Sequence, residues 1–174
     1  MKNSAAFLVT GLVATLLCIP AHGQEVGSLA GNRSLNVFAQ VSAARAGQGS
    51  GVIWGGSTGV YVQGHLLGLV LRGTALPGNQ TERIYTAILG PRVALSLPFF
   101  RVYGEVGGGM GHAGYYDNGV FGTSWAPAWQ VDAGLVRGLL PHLDWRVVEL
   151  SYSRIYAGPG VSPEMLSTGF ALHL

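Results

Sequence analysis

The stretch YTAILGPRVAL, residues 85–95, alternates between two kinds of side chain with a period of two. Tyr85, Ala87, Leu89, Val93 and Leu95 share one parity, and the other parity includes Thr86, Gly90 and Arg92. Successive side chains of a β-strand point to opposite faces of the sheet. The stretch therefore predicts a strand with one apolar face and one face that carries polar groups.

The same period recurs on both sides of this stretch. It is clear in five further segments, which are residues 35–43, 100–110, 129–135, 147–153 and 167–174. Two more strands are predicted less sharply, at about residues 56–63 and 66–72. Beyond the N-terminal region, no apolar run approaches the ~18–20 residues that a helix needs to cross a bilayer. The sequence predicts eight strands and no spanning helix.

The predicted connections alternate in length along the chain. Short links fall at residues 63–65, 96–98 and 138–142, and longer, glycine-rich links fall at residues 46–55, 73–82, 112–124 and 158–163. Outer-membrane barrels have short periplasmic turns and longer extracellular loops. The order of the links fits such a barrel with its N-terminus in the periplasm.

The first 23 residues have the pattern of a signal peptide. Lys2 supplies the positive charge, residues 5–20 form an apolar run, and small residues precede an expected cleavage site before Gln24. Cleavage would remove Cys18, the only cysteine, and Leu17 before it argues against a lipoprotein signal. We therefore expect a signal peptide at 1–23 and one outer-membrane domain at 24–174.

Composition excludes several classes of protein. The chain has 10 basic and 8 acidic residues, and its basic residues form no stripe of the kind that binds nucleic acid. Its 28 glycines follow no fixed period, which excludes a collagen-like repeat. Because cleavage would leave no cysteine, the fold must close by hydrogen bonding and burial alone. A closed barrel meets that requirement.

Hydrocarbon contact makes closure necessary, because every backbone polar group in a bilayer must find a protein partner. An eight-stranded barrel is just wide enough for side chains to fill it. The alternation of the strands predicts that several charged side chains point inward. An unpaired buried charge costs several kcal/mol, which is on the order of the whole free energy of unfolding of a small domain. We therefore expect a salt-bridged plug that contains Arg92, Arg101, Glu105, Asp132 and Glu149.

Other side chains are expected on the outside, near the membrane boundaries. Arg146 and Arg154 share the parity of the lipid-facing residues Val148 and Leu150, so they are predicted to reach headgroups at opposite interfaces. Aromatic side chains form girdles at those boundaries in membrane barrels. The residues predicted for the girdles are Tyr85, Trp129, Trp145 and Tyr152.

The sequence also resembles a known family, the small outer-membrane β-barrel domain proteins related to the OmpA transmembrane domain. The resemblance lies in IYTAILGPRVAL, RVYGEVGGGMGHAG, WQVDAGLVRGLLPHLDWRVVELSYSRI and the C-terminal STGFALHL. It implies an all-β, eight-stranded antiparallel up-and-down transmembrane β-barrel without known enzymatic activity. One departure is the C-terminal residue, Leu174, where such barrels commonly end in Phe or Trp.

Candidate sites for chemistry are sparse. The histidines at 65, 112, 142 and 173 lack metal-ligand spacing, so we expect no metal and no cofactor. The GGGMG run at 107–111 lacks the Lys-Ser/Thr of a phosphate loop. A lipid A-modifying enzyme stays open as an alternative, and its candidate groups are His112 with Ser124 or Asp117, and His173 with Ser167.

The sequence favours a structural or surface-interaction protein of the outer membrane with no catalytic residue. The alternatives are a narrow pore, the lipid-modifying enzyme and a soluble, lipocalin-like periplasmic barrel. Aromatic residues in the predicted loop at 112–124 could bind a ligand or pack on the barrel rim. The expected partners are outer-membrane lipids, lipopolysaccharide and the barrel-assembly machinery, with no nucleic acid and a monomeric state.

Overall fold

The structure is a computed structural model that describes residues 34–46, 51–78, 83–117, 120–158 and 160–174. The predicted signal peptide and its cleavage site lie outside these residues, as do the side chains at 115–121. Within the described part, no helix is long and apolar enough to cross a membrane.

Eight antiparallel strands follow one another around a closed barrel. Each strand pairs with its neighbours in the sequence, and β1 pairs with β8 to close the sheet, from Asn36 opposite His173 to Arg45 opposite Glu164. The strands are β1 Ser34–Arg45, β2 Ile53–Gln63, β3 Leu67–Pro77, β4 Arg83–Ser96, β5 Arg101–Asp117, β6 Val120–Leu140, β7 Leu143–Ile155 and β8 Glu164–His173. The predicted all-β, eight-stranded, up-and-down architecture is confirmed.

Strand lengths differ from prediction at the end that carries the longer links. β3 continues to Pro77, and β5 and β6 form a hairpin that reaches Asp117 opposite Val120. The predicted links at 73–82 and 112–124 were therefore too long. Antiparallel neighbours keep exchanging backbone hydrogen bonds beyond the alternating core of a strand. The periodicity weakens there, although pairing continues.

The surface of the barrel has the reverse polarity of a water-soluble protein. Large apolar side chains are exposed along the strands, among them Val41, Leu71, Leu89, Leu150 and Phe170. Charged and polar side chains are buried in the interior instead. Charged residues are otherwise almost never fully buried unless paired. The outward apolar surface fits hydrocarbon, and it contradicts the soluble, lipocalin-like alternative.

One local irregularity changes the parity of a strand. In β7, Asp144 and Arg146 are buried, and burial resumes at Glu149 and Ser151. The register of β7 against β8 shifts between Arg146 and Glu149, which marks a β-bulge. A bulge inserts one extra residue and re-aims the side chains beyond it. Both halves of β7 therefore turn charged groups into the lumen.

Candidate functional site: the charged lumen

Six charged side chains meet in the middle of the lumen and form what we call the ionic layer. Adjacent strands supply them at matching register, since Arg92 lies opposite Glu105 and Glu105 lies opposite Asp132. Each residue is exposed by 4% or less. The members of the ionic layer are Arg72, Arg92, Glu105, Asp132, Arg146 and Glu149.

Glu149 lies at the centre of this layer. Arg72 donates to both of its carboxylate oxygens, with 2.9 Å between Nη2 and Oε2. Arg146 donates from Nη2 to Oε2 at 2.5 Å, and the Tyr103 hydroxyl donates to the same oxygen. Hydrogen bonds between ionised groups are about twice as strong as neutral ones. The carboxylate thus holds β3, β5 and β7 together.

Glu105 forms the second junction. It accepts hydrogen bonds from Arg72, at 2.7 Å between Nη2 and Oε2, and from Arg92. Arg146 approaches it from a third strand, with 3.4 Å between Nη2 and Oε1. Asp132 is more peripheral, because its Oδ1 accepts from Gln130 at 2.7 Å and lies 3.5 Å from Arg72 Nη1. Three guanidinium groups and three carboxylates therefore balance one another formally.

Aromatic rings complete the surroundings of two arginines. The guanidinium carbon of Arg92 lies 4.3 Å from the ring centroid of Tyr61 and 3.9 Å from that of Tyr103. The guanidinium carbon of Arg146 lies 4.2 Å from the Phe38 centroid and 4.7 Å from the Tyr103 centroid. Cations are attracted to aromatic faces within about 6 Å. The rings contribute to stabilising charges that lie far from water.

The structure brings together four of the five residues predicted for the charged network, namely Arg92, Glu105, Asp132 and Glu149. Arg101 does not join them. Its Nε donates to Ser96 Oγ at 3.3 Å, its Nη1 lies 3.9 Å from Asp144, and its side chain is 36% exposed. Parity predicts the face of a strand but not the depth at which a side chain lies. Arg101 begins β5, so it lies at the mouth on the side of the short links, which is the periplasmic end in outer-membrane barrels.

Two members of the ionic layer were not predicted. Arg146 was expected to face the membrane, and this expectation is wrong because the bulge in β7 turns it inward, where it is fully buried. Arg72 ends one of the two strands that the sequence predicts less sharply. The exposed residues Leu67, Leu69 and Leu71 show the alternation that would have placed it inward. Arg154 lies partly buried at the other end of β7, where it donates to Ser162 at 2.8 Å.

The lumen has different contents above and below the ionic layer. Towards the longer links, buried small and aliphatic side chains pack together and form what we call the apolar layer. Its members are Ala44, Ile53, Leu76, Ile84, Ile88, Ala113, Ala126, Ala128, Ile155, Ala157 and Met165. At the periplasmic end the lumen opens into a cavity of about 360 Å³ lined by polar groups that include Gln63, His65, Arg101 and His173.

Two of the three candidate pairs for lipid chemistry, His112 with Ser124 and His173 with Ser167, are not assembled in the described residues. His112 is half-buried among outward aromatic rings, and Ser124, opposite the buried Ala113, has the parity of the lumen-facing residues. Ser167 is hydrogen-bonded to Ser42 at 2.8 Å, whereas His173 pairs with Asp144 at 2.7 Å. The side chain of Asp117 lies outside the described part. Among described residues, no group of three His, Cys, Asp or Glu could hold a metal ion.

Aromatic side chains lie near both boundaries of the outward surface. Tyr85, His112 and Trp125 form a cross-strand row, with 6.2 and 5.3 Å between successive ring centroids. Trp129 and Tyr152 lie nearby, with their centroids 5.5 Å apart. At the periplasmic end, Trp145 Nε1 donates to Thr168 Oγ1 at 3.2 Å. These positions correspond to those of the aromatic girdles in membrane barrels. The other aromatic side chains of the predicted loop, at 115, 116 and 121, lie outside the described side chains.

Comparison with known proteins identifies the fold. The chain is similar to Neisserial surface protein A, with 14% identity, a TM-score of 0.59, and coverage of 80% of this chain and 96% of that one. It is also similar to the N-terminal β-barrel domain of Pseudomonas aeruginosa OprF, with 17% identity, a TM-score of 0.53, and coverage of 79% and 97%. No family model and no curated protein matches the sequence.

The resemblance predicted from the sequence is therefore confirmed at the level of the fold. The closed barrel is shared with these two structures. The outward apolar surface and the buried charges are observed directly in this chain. Strands can cross hydrocarbon only in a closed barrel that presents such a surface. The chain is a small, eight-stranded β-barrel that shares the fold of these two proteins and presents an outward surface suited to a membrane.

Proposed function

We propose that this protein is a non-catalytic, structural or surface-interaction component of the outer membrane whose lumen is closed by its own side chains. The observation that carries the proposal is the ionic layer, in which six charged groups from five strands neutralise one another across the barrel. Buried ion pairs require several well-placed partners to offset their desolvation. An arrangement of this kind supports a rigid scaffold.

The apolar layer adds a second barrier in series. Leu76, Ala113 and Ile155 have no exposed surface there. A hydrated ion that entered through the periplasmic cavity would meet the ionic layer and then a constriction lined mainly by aliphatic side chains. Hydrophobic constrictions oppose conduction by excluding water. Both features disfavour the narrow pore.

The enzyme alternative lacks a catalytic arrangement in the described residues. General base catalysis requires the base within hydrogen-bond reach of the proton it removes. His173 and Ser167 belong to the same strand, six positions apart, and each is engaged by a different partner. His112 and Ser124 have outward and inward parity, respectively. The positions of these histidines and serines therefore favour a non-catalytic role over the enzyme.

Lipids and lipopolysaccharide remain the partners we propose for the outward surface. Arg45 is exposed at the end with the longer links, where its guanidinium would meet lipid phosphates. A surface role also agrees with the name of Neisserial surface protein A, which shares the fold. Insertion by the barrel-assembly machinery and a monomeric state complete the proposal.

Single-channel recording in planar bilayers tests the closed lumen. The wild-type protein should insert without a stable unitary conductance. A double variant, Leu76→Ala with Ile155→Ala, opens the apolar layer but keeps the ionic layer, and it should also remain closed. Reproducible wild-type conductance steps would contradict the proposal and favour the pore. Lipid A mass spectra from cells with and without the protein test the enzyme, and they should be identical.

A further inference from the structure

The periplasmic turns of the barrel carry an unusual number of exposed apolar side chains. Phe99 is 82% exposed, Leu67 66% and Leu140 64%, and each lies in or next to a different short link. Leu66, Leu97, Phe100 and Leu139 are exposed beside them. Each Å² of apolar surface left in water costs about 25 cal/mol. The apolar surface therefore continues past the ends of the strands.

The exposed charged side chains at this end of the described residues are basic. Arg137 is exposed, and the side chain of Arg101 is 36% exposed. The one acidic side chain at this end of the described chain is Asp144, which is 7% exposed, faces the lumen and pairs with His173. A cationic rim beside exposed apolar turns complements a negatively charged amphiphile.

Arg137 and Trp145 make the most defined site on this rim. They lie directly opposite each other on β6 and β7, and both are exposed. Directly opposed side chains on antiparallel strands have Cβ atoms about 4.5–5.5 Å apart. The Arg137 guanidinium has no hydrogen bond or ion pair with any described side chain, whereas the Trp145 indole is tied to Thr168. An unpaired guanidinium next to a fixed ring is suited to a phosphate.

We propose that the periplasmic rim binds an anionic phospholipid of the inner leaflet. Arg137 contacts the headgroup phosphate, Trp145 lies at the level of the glycerol backbone, and the apolar turns are covered by acyl chains. The occupant is a phospholipid because the apolar residues of the turns continue the hydrocarbon-facing surface. The inference rests on the proposed membrane location, but it adds a preference for negatively charged headgroups at one end of the barrel.

Fluorescence quenching by brominated lipids tests this site. A variant with Trp54, Trp125 and Trp129 changed to Phe keeps Trp145 as the single reporter. It is refolded into phosphatidylcholine vesicles that contain a minor fraction of brominated phosphatidylglycerol or of brominated phosphatidylcholine. One arginine beside an anionic surface enriches anionic lipid about fivefold. We expect a comparable excess of quenching by brominated phosphatidylglycerol.

Two further substitutions in the single-tryptophan chain localise the effect. Arg137→Gln should reduce quenching to the level of brominated phosphatidylcholine, and the matched change Arg83→Gln at the opposite end should leave the excess intact. Equal quenching by both lipids would refute the anionic preference while leaving the membrane location valid.

The remaining outcomes separate the inference from the proposed function. No quenching by either lipid, together with a gel migration that heat does not change, would show that the chain does not insert. No quenching in a heat-modifiable, folded protein would show that lipid does not reach Trp145, which would also refute lipid binding at the rim.

Discussion

The ionic layer and the apolar layer fill the same lumen by opposite physical means. In the ionic layer, each charged group is held by directional contacts, and Glu149 alone serves Arg72, Arg146 and Tyr103. In the apolar layer, aliphatic side chains such as Leu76 and Ile155 pack without polar contacts. The first layer depends on complete pairing, whereas the second depends on filled volume.

This difference predicts how each layer responds to loss of a side chain. Removing one charge from the ionic layer leaves its partners buried and uncompensated, which costs more than the lost contact itself. Removing one aliphatic group leaves a cavity whose cost follows its size and the ability of neighbours to relax. A series of substitutions, ranked by expected loss of stability, can therefore test whether the ionic layer depends on charge pairing and the apolar layer on filled volume.

The largest effect is expected for Glu149→Ala. The change leaves Arg72 and Arg146 buried without their shared carboxylate, and breaking such a pair costs about 3–5 kcal/mol of unfolding free energy. Urea unfolding in lipid vesicles, followed by loss of the compact gel band, measures it. Glu164→Ala, an exposed control, should change stability by less than about 0.5 kcal/mol. A loss equal to that of the control would mean that the ionic layer does not stabilise the barrel.

A smaller effect is expected for Leu76→Ala in the apolar layer. The residue has no exposed surface, and a buried Leu→Ala change costs about 3 kcal/mol because a cavity replaces packed atoms. The same unfolding assay applies. Leu71→Ala, five positions earlier on β3 and facing outward, is the control, because lipid can fill the space. A greater loss at Leu71 would contradict a packed lumen.

Gly134→Ala tests how closely the periplasmic side of the ionic layer is packed. A Cβ at Gly134 would lie no more than 2.8 Å from three atoms of Tyr103, including its hydroxyl oxygen. Overpacking of this kind costs about 1–3 kcal/mol. Gly108→Ala is the matched control, since its nearest atom would lie at an ordinary 3.9 Å. Equal stability of the two variants would show that Tyr103 moves without loss.

The smallest effect is expected for a neutral pair next to the ionic layer. Ser42→Ala removes the partner of Ser167, and one such hydrogen bond contributes about 0.5–1.5 kcal/mol. The double change Ser42→Ala with Ser167→Ala leaves no unpaired hydroxyl in this pair, so it should cost little more than the single change. A double-mutant cycle measures the coupling, and strict additivity of the two losses would contradict it.

The sequence predicted a large part of the lumen from parity alone. Arg92, Glu105, Asp132 and Glu149 occupy the face that the two-residue period indicated, because inward and outward positions are a local property of an extended chain. Arg146 was misplaced because the period was continued through residues 147 and 148, where the bulge interrupts it. Arg101 had the correct parity but lies too close to the strand end to reach the ionic layer.

What the sequence determined by itself is the reversed polarity of the barrel and the order of its strands, since both follow from local alternation and short antiparallel connections. Only the tertiary structure decided which charges meet. That outcome depends on the register of each strand against its neighbour, on the bulge in β7 and on the closure of β1 against β8. These are relations between distant segments, so Arg72 and Glu149, 77 positions apart, become partners only when the sheet closes.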